Sequence, residues 1–418
     1  MTLRFHTLSN GVRVIADPMP GLSSVALSVV LKAGSRWEDD LENGWAHMLE
    51  HMVFKGAGSR DARAIAEDIE AEGGHINAAT GFERTSFQVR CLADGLPLGL
   101  EVLSDLVRYP LIDGSELERE KQVIAQEIAD AADTPDDRVF DMAQGAAYAD
   151  QPLGRPILGT VDSIAPATAQ TLSAFHRDLY AADRIIVSAA GAVDEDALLA
   201  EVERRFADMT PMHRVAPTPS LFTGGRSVEA RKLEQAQLVW LTPGVQISHP
   251  DYFAQRLFAE ILGGGMASRL FQDVREKHGL AYAIDAYSSN FDDSGLLGVY
   301  AGTSAADAQP AARLIVEGLT RLAEDVSESE LARAKAQARA GLHMGREQPL
   351  ARAEQAAGQL FAFGRLIDPA ESERSIASVT VEDLRRVGER ALNGPCATAV
   401  LGPKRAGAAA DVFMHGRG

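Results

Sequence analysis

Cysteine is nearly absent: 418 residues contain Cys91 and Cys396, far apart and without metal-ligand spacing. That excludes a disulfide framework and fits a reducing, cytoplasmic setting. Long apolar runs are missing too. Stretches such as Val25–Leu31 are strand-sized, far short of a membrane span. The first residues, MTLRFHTLSNGVRVIAD, lack the apolar core and small-residue cleavage site of a secretory signal, and read as strand, Asn10-Gly11 turn, strand. Basic residues are in deficit, 41 against 59 acidic, for a net charge of −18. Such a balance argues against nucleic acid and anionic membrane as partners. It suits basic peptides, and equally a plain solvated acidic surface. The triplet Gly263–Gly265 has no Lys-Ser/Thr after it and no strand before it, so a nucleotide loop is excluded.

What is present is enough chain for two domains of ordinary composition. Asp208–Ser227, rich in Pro, Thr, Gly and Ser, has no apolar period and sits at the midpoint. It predicts domains at 1–210 and 227–418 joined by a linker at 211–226. The halves follow one plan. An apolar strand ends at a glycine (Gly34, Gly244), a helix follows, a Gly-led strand begins (Gly74, Gly279), and another strand and an amphipathic helix come next. The two offsets agree within a few residues, which points to duplication. Helices are expected at Leu96–Arg108, Ser115–Ala132, Ala167–Leu179, Asp194–Phe206 and Ala305–Leu322, with strands in hairpin-like neighbours. The fold class is therefore α+β, two related α/β sandwich domains.

The chemistry gathers in NGWAHMLEHMVFKG, which has helical period. His47 and His51 are four apart, so both imidazoles leave one face and can share a metal. Glu50 lies within reach of a water there, and His-x-x-Glu-His is a zinc-hydrolase pattern. A histidine pair alone is as readily a solvated helix face. A catalytic zinc needs a third protein ligand. The helix GSELEREKQVIAQEIADA, with Ser115 as its expected cap, offers Glu116, Glu120 and Glu127. Glu120 and Glu127, two turns apart, share a face. One could ligate and the other support a ligand histidine, and spacing does not choose between them.

HMLEHMVFKG with AQEIADA about seventy-five residues later, then QPLGRPILG and LGGGMASRLFQDVREKHGLAY, resembles the pitrilysin family of inverted zincins over nearly the whole chain. The resemblance extends to the branch holding bacterial peptidases and the catalytic subunit of mitochondrial processing peptidase. It implies one zinc per chain on His47, His51 and Glu127, with Glu120 behind them and Glu50 as the base of peptide hydrolysis. It implies that Asn77, Ala78 and Thr80 in GGHINAATGFERTSF lie on a strand that pairs with an extended peptide. Arg275 and Tyr282 match a pair that reaches substrate from the far side of a chamber. Asp137 and Asp141 match an acidic pair that grips an arginine before the cut bond. At this length the chain resembles half of a clamshell, so a partner is expected, either a second copy or an inactive homologous subunit. The rival expectations are a scaffold subunit without catalysis and a broad oligopeptidase of unfolded peptides.

Overall fold

The computed structural model describes residues 3–211 and 214–416, in two compact units. Unit 1 comprises Met1–Ile128, Pro156–Pro217 and His343–Ile367; unit 2 comprises Ala129–Arg155, Thr218–Leu342 and Asp368–Gly418. A single cut at 211–226 therefore does not describe the folding units. Each half lends a helical segment to the other.

Unit 1 begins with β1 (Arg4–Thr7) and β2 (Arg13–Pro18), antiparallel around the expected turn, where Gly11 takes φ +98°. β3 (Ser24–Leu31) leads to α1 (Trp45–Val53), the short pair β4 (Gly56–Ala57) and β5 (Arg60–Asp61), and α2 (Ala62–Ala71). The hairpin β6 (His75–Thr80) and β7 (Thr85–Leu92) precedes α3 (Leu96–Arg108), α4 (Gly114–Asp133) and α5 (Pro135–Ala147), the last belonging to unit 2. α6 (Val161–Ile164), α7 (Ala169–Leu179), β8 (Ile185–Gly191) and α8 (Glu195–Phe206) follow. α7 and α8 start a residue or two later than expected because Thr168 and Asp194 are their N-caps. The expected Ser115 cap of α4 is corrected as well. Asp113 Oδ1 accepts from Ser115 N at 2.8 Å and Glu116 N at 3.1 Å, so an ionised cap takes that place.

The sheet order is β1-β2-β8-β3-β7-β6, with β2 and β8 parallel and the other neighbours antiparallel. β3 is buried along nearly its whole length because both sheet faces are covered. Val14, Leu27 and Val29 join the core with α1, α3, α7 and α8. Ile15, Val30 and Ile186 face the other way, onto Ala356, Ala357 and Leu360. Those last residues come from the lent segment and are tied down by a bidentate pair, Arg352 to the buried Asp17 at 2.6 Å twice.

Unit 2 holds β9 (Gly225–Ala230), β10 (Gln235–Pro243), α9 (Tyr252–Gly263), β11 (Ala281–Asn290) and β12 (Gly295–Ser304). Then come α10 (Ala308–Asp325), α11 (Glu328–Gly345), α12 (Pro349–Phe363, lent to unit 1), α13 (Pro369–Ser378), α14 (Val381–Asn393), β13 (Ala397–Gly402) and α15 (Ala408–His415). Its sheet runs β9-β13-β10-β12-β11, with β9 and β13 parallel and the rest antiparallel. Replace these by β2, β8, β3, β7 and β6 and the first sheet results, β1 apart. The two domains are thus structurally related, as duplication predicts. On one face α5 packs, Phe140 stacking on Tyr300 at 5.4 Å between centroids. Among the described residues no helix is long and apolar enough to cross a membrane, and Cys91 and Cys396 are both buried.

Candidate metal centre

α1 is amphipathic in the strict sense. Trp45, Ala46, Met48, Leu49, Met52 and Val53 are buried, while His47, Glu50 and His51 lie half-buried on the remaining face. Its N-terminus is satisfied from a distance. Glu38 accepts from Gly44 N at 3.0 Å and Ala46 N at 2.7 Å, placing a carboxylate at the positive end of the helix. Asn43 Nδ2 donates to Pro156 O at 3.0 Å, and Trp45 Nε1 to Ser163 O at 3.1 Å. Gly44 (φ +90°) and Gly159 (φ +72°) lie back to back, where any Cβ would collide with the other's backbone. The string QPLGRPILG therefore ends as a brace for α1.

Three ligand atoms converge. Glu127 Oε2 lies 3.9 Å from His47 Nε2 and 3.6 Å from His51 Nε2. Two ligands on a tetrahedral zinc with bonds of about 2.05 Å stand about 3.3 Å apart, so a small closure completes the set. Glu127 Oε2 is buried without a hydrogen-bond partner, as is His47 Nδ1. An orphan carboxylate oxygen facing two imidazole nitrogens costs free energy unless a cation meets it. No other group of three histidine, cysteine or acidic side chains among the described residues is arranged to hold a metal ion. The residues fit zinc.

Glu120 takes the supporting role. It is 4 % exposed, accepts Lys55 Nζ at 2.7 Å, and its Oε2 lies 3.0 Å from His51 Nδ1. Burial works to raise its pKa, but the bonds from Lys55 and His51 overcome it and hold the carboxyl low. An ionised Glu120 keeps the His51 proton on Nδ1 and leaves Nε2 free to ligate. Burial, helped by His51, depresses His47 to about 4, so its imidazole is neutral at pH 7, the form that binds metal.

Glu50 is pushed upward chiefly by burial, with repulsion from Glu127 adding to it; hydrogen bonds from Thr80 and the nearby His51 oppose the rise. Thr80 Oγ1 donates to Glu50 Oε2 at 2.5 Å. The Thr80 side chain is therefore engaged with Glu50.

β6 forms one edge of the sheet. Gly81 N bonds Arg84 O at 2.8 Å, so in this register Ala79, Asn77 and His75 turn their backbone groups to β7. Ile76, Ala78 and Thr80 turn theirs to the open edge. Asn77 can meet an added strand only through its side chain.

The remaining candidates lie in unit 2, whereas the ligands lie in unit 1. Asp137 is exposed and Asp141 half-buried on α5, with Asp141 raised by burial. Arg138 between them reaches Glu229 at 3.1 Å. Arg275 sits in a π-helical turn, Phe271–Lys277, 4.6 Å over the Phe271 ring. Tyr282 on β11 is 46 % exposed, its hydroxyl 3.4 Å from Thr303 O.

Sequence reasoning missed Glu38, Lys55 and Tyr180. Glu38 carried a usable signal, an acid shortly before a helix that lacks a capping side chain of its own. Tyr180, buried beneath Glu50's helix with its hydroxyl unpartnered, carried none.

Two family models match the chain: Insulinase (Peptidase family M16) over residues 13–161 and Peptidase M16 inactive domain over 166–338. An uncharacterized zinc protease of Rickettsia felis is 36 % identical over 95 % of this chain and 96 % of that one. The uncharacterized zinc protease YmxG of Bacillus subtilis is 36 % identical over 82 % and 85 %. Among solved structures, a peptidase M16 inactive domain from Pseudomonas fluorescens superposes with TM-score 0.89 at 22 % identity, over 97 % of this chain and 98 % of that one. A protease from Helicobacter pylori superposes with TM-score 0.88 at 21 % identity, over 96 % and 99 %. At such identities the structures speak for the fold alone.

Proposed function

We propose that this chain, which belongs to peptidase family M16, the insulinase family, is a zinc-dependent endopeptidase that cuts polypeptides bound in extended form. The observation that carries the reading is the meeting of Glu127 Oε2 with both imidazole Nε2 atoms, with Glu50 on the same helix face. One zinc per chain, held by His47, His51 and Glu127, would lower the pKa of a water toward neutrality and polarise the scissile carbonyl.

The chain's own residues do the rest. The open edge of β6 binds the peptide backbone through Ile76 and Ala78, aligning it as one more strand. Glu50 takes a proton from the attacking water onto its carboxylate and returns it to the leaving nitrogen, the two halves of general acid–base catalysis. Its raised pKa makes it a better proton holder than an exposed glutamate. Glu120 fixes His51, and Glu38 fixes the whole helix.

A second subunit is the natural source of the opposite wall, with Arg275 and Tyr282 reaching a peptide in the partner's zinc site and Asp137 and Asp141 favouring basic residues. Support comes from the exposed Tyr282. Mixing Glu50→Gln with Tyr282→Phe chains should restore activity in verified heterodimers, and none recovered counts against action in trans. A non-catalytic scaffold is disfavoured by the complete ligand set. The inactive-domain model covers 166–338, outside His47, Glu50, His51 and Glu127.

The central test is Glu50→Gln. It should retain zinc by elemental analysis and lose roughly 100-fold or more of hydrolysis. Wild-type cleavage by that variant would end the proposal.

A further inference from the structure

We propose that Thr80 is the positioning residue of Glu50, so that the strand offered to the peptide also sets the aim of the base. The inference rests on Glu50 acting as proposed above.

The direction of the bond follows from proton counting. Thr85 Oγ1, fully buried, donates its one proton to Ala33 O at 3.0 Å. It has none left for Thr80 Oγ1, 3.4 Å away. Thr80 therefore spends its own proton on Glu50 Oε2, at 2.5 Å, and a short O–H to carboxylate bond is the strong kind. Such a bond fixes the orientation of the Glu50 carboxylate.

Thr80 is itself held still. The turn beyond it docks on the chain after β3: Ser35 N donates to Gly81 O at 3.0 Å, and Arg36 N to Phe82 O at 2.7 Å. Arg36 also reaches Glu83 at 2.9 Å, the arginine side chain 5 % exposed. Gly34 completes the clamp, because a Cβ there would collide with the Gly81 carbonyl and the Arg84 amide. A β-branched side chain at the end of a clamped strand has little rotamer freedom to lose. Thr80 thus presents a fixed donor to a carboxylate that otherwise rotates. The backbone N–H of Thr80 acts on the same carboxylate, while Ile76 and Ala78, next along the strand, keep their backbone groups on the open edge. A peptide pairing there is registered against the element that aims Glu50.

The test compares Thr80→Val, which keeps shape and loses the donor, with Thr80→Ser, which keeps the donor. The substrate is a pooled library of internally quenched nonapeptides cleaved by the wild type. Thr80→Val should lose about 10- to 100-fold in kcat with KM within about threefold, because a misaimed catalytic group costs rate rather than binding. Thr80→Ser should recover most of the loss. Zinc content should stay at the wild-type value in both. In a Glu50→Gln background, Thr80→Val should shift the Kd of a fluorescein-labelled library peptide by less than about threefold. A wild-type kcat in Thr80→Val, or a loss confined to KM or zinc content, overturns the positioning role. If Thr80→Val fails to fold, Thr80→Ser and Thr80→Ala decide: equal kcat in these two overturns it. An active Glu50→Gln removes the base assignment itself, an outcome separate from any result at Thr80.

Discussion

Replacing Glu120 by glutamine removes one charge and almost no volume. In the wild type the carboxylate is 4 % exposed, takes Lys55 Nζ at 2.7 Å and lies 3.0 Å from His51 Nδ1. The amide oxygen of glutamine can accept one of these bonds, but as a neutral acceptor. A bond to a charged group contributes about 1.5–3 kcal/mol against about 0.5–1.5 for a neutral pair, so His51 loses about 1–1.5 kcal/mol of orientation and basicity. Zinc should therefore bind about tenfold more weakly, since about 1.4 kcal/mol is a factor of ten. Loss of an outer partner of a ligand histidine falls in the same range. Competition against a chromophoric chelator measures the affinity, and circular dichroism confirms that the variant is folded. Zinc affinity within twofold of wild type in a folded Glu120→Gln would refute the argument that Glu120 acts through His51.

Two further expectations concern stability. Asp251 is held down to about 2, first by the hydrogen bond from Arg386 and also by Arg390, against the opposing effect of burial. A depressed carboxylate stabilises fully above its ordinary value of 3.8 and loses that contribution as pH falls toward 2. Asp251→Asn should cost about 2 kcal/mol at pH 7, and its melting gap from wild type should close near pH 2; a gap independent of pH would contradict the assignment. Glycines supply the other pair. Gly34→Ala should abolish folding or cost more than about 3 kcal/mol, whereas Gly341→Ala, in a helix with nothing near its Cβ, should stabilise by about 0.5–1 kcal/mol. Equal melting temperatures for the two variants would refute the packing argument.

Much of the site was written in local periodicity. The four-residue spacing put His47 and His51 on one face of α1, and that face stayed half-buried while the apolar stripe was sealed. α3 has the bounds its apolar pattern predicts, Leu96–Arg108. The choice between Glu120 and Glu127 was not legible from spacing, because two turns of helix bring both to the same face. Depth decided: Glu120 is drawn to Lys55 and His51 Nδ1, while Glu127 Oε2 meets the two Nε2 atoms. The cap of α4 went to Asp113 rather than Ser115, residues two apart that sequence rules rank nearly alike.

By itself the sequence determined what depends on neighbours along the chain: the helix face with its two histidines and glutamate, the hairpin around Gly11, and the repeated strand–glycine–helix plan. Tertiary structure alone decided what those faces meet. An apolar stripe says that a helix must be buried, not against which sheet, so nothing in α5 or α12 announced that each would leave its own half. For the same reason Thr80, an ordinary strand threonine in the sequence, became the partner of Glu50. The packing of β6 on α1, with the 81–84 turn clamped on residues 34–36, brings the two together.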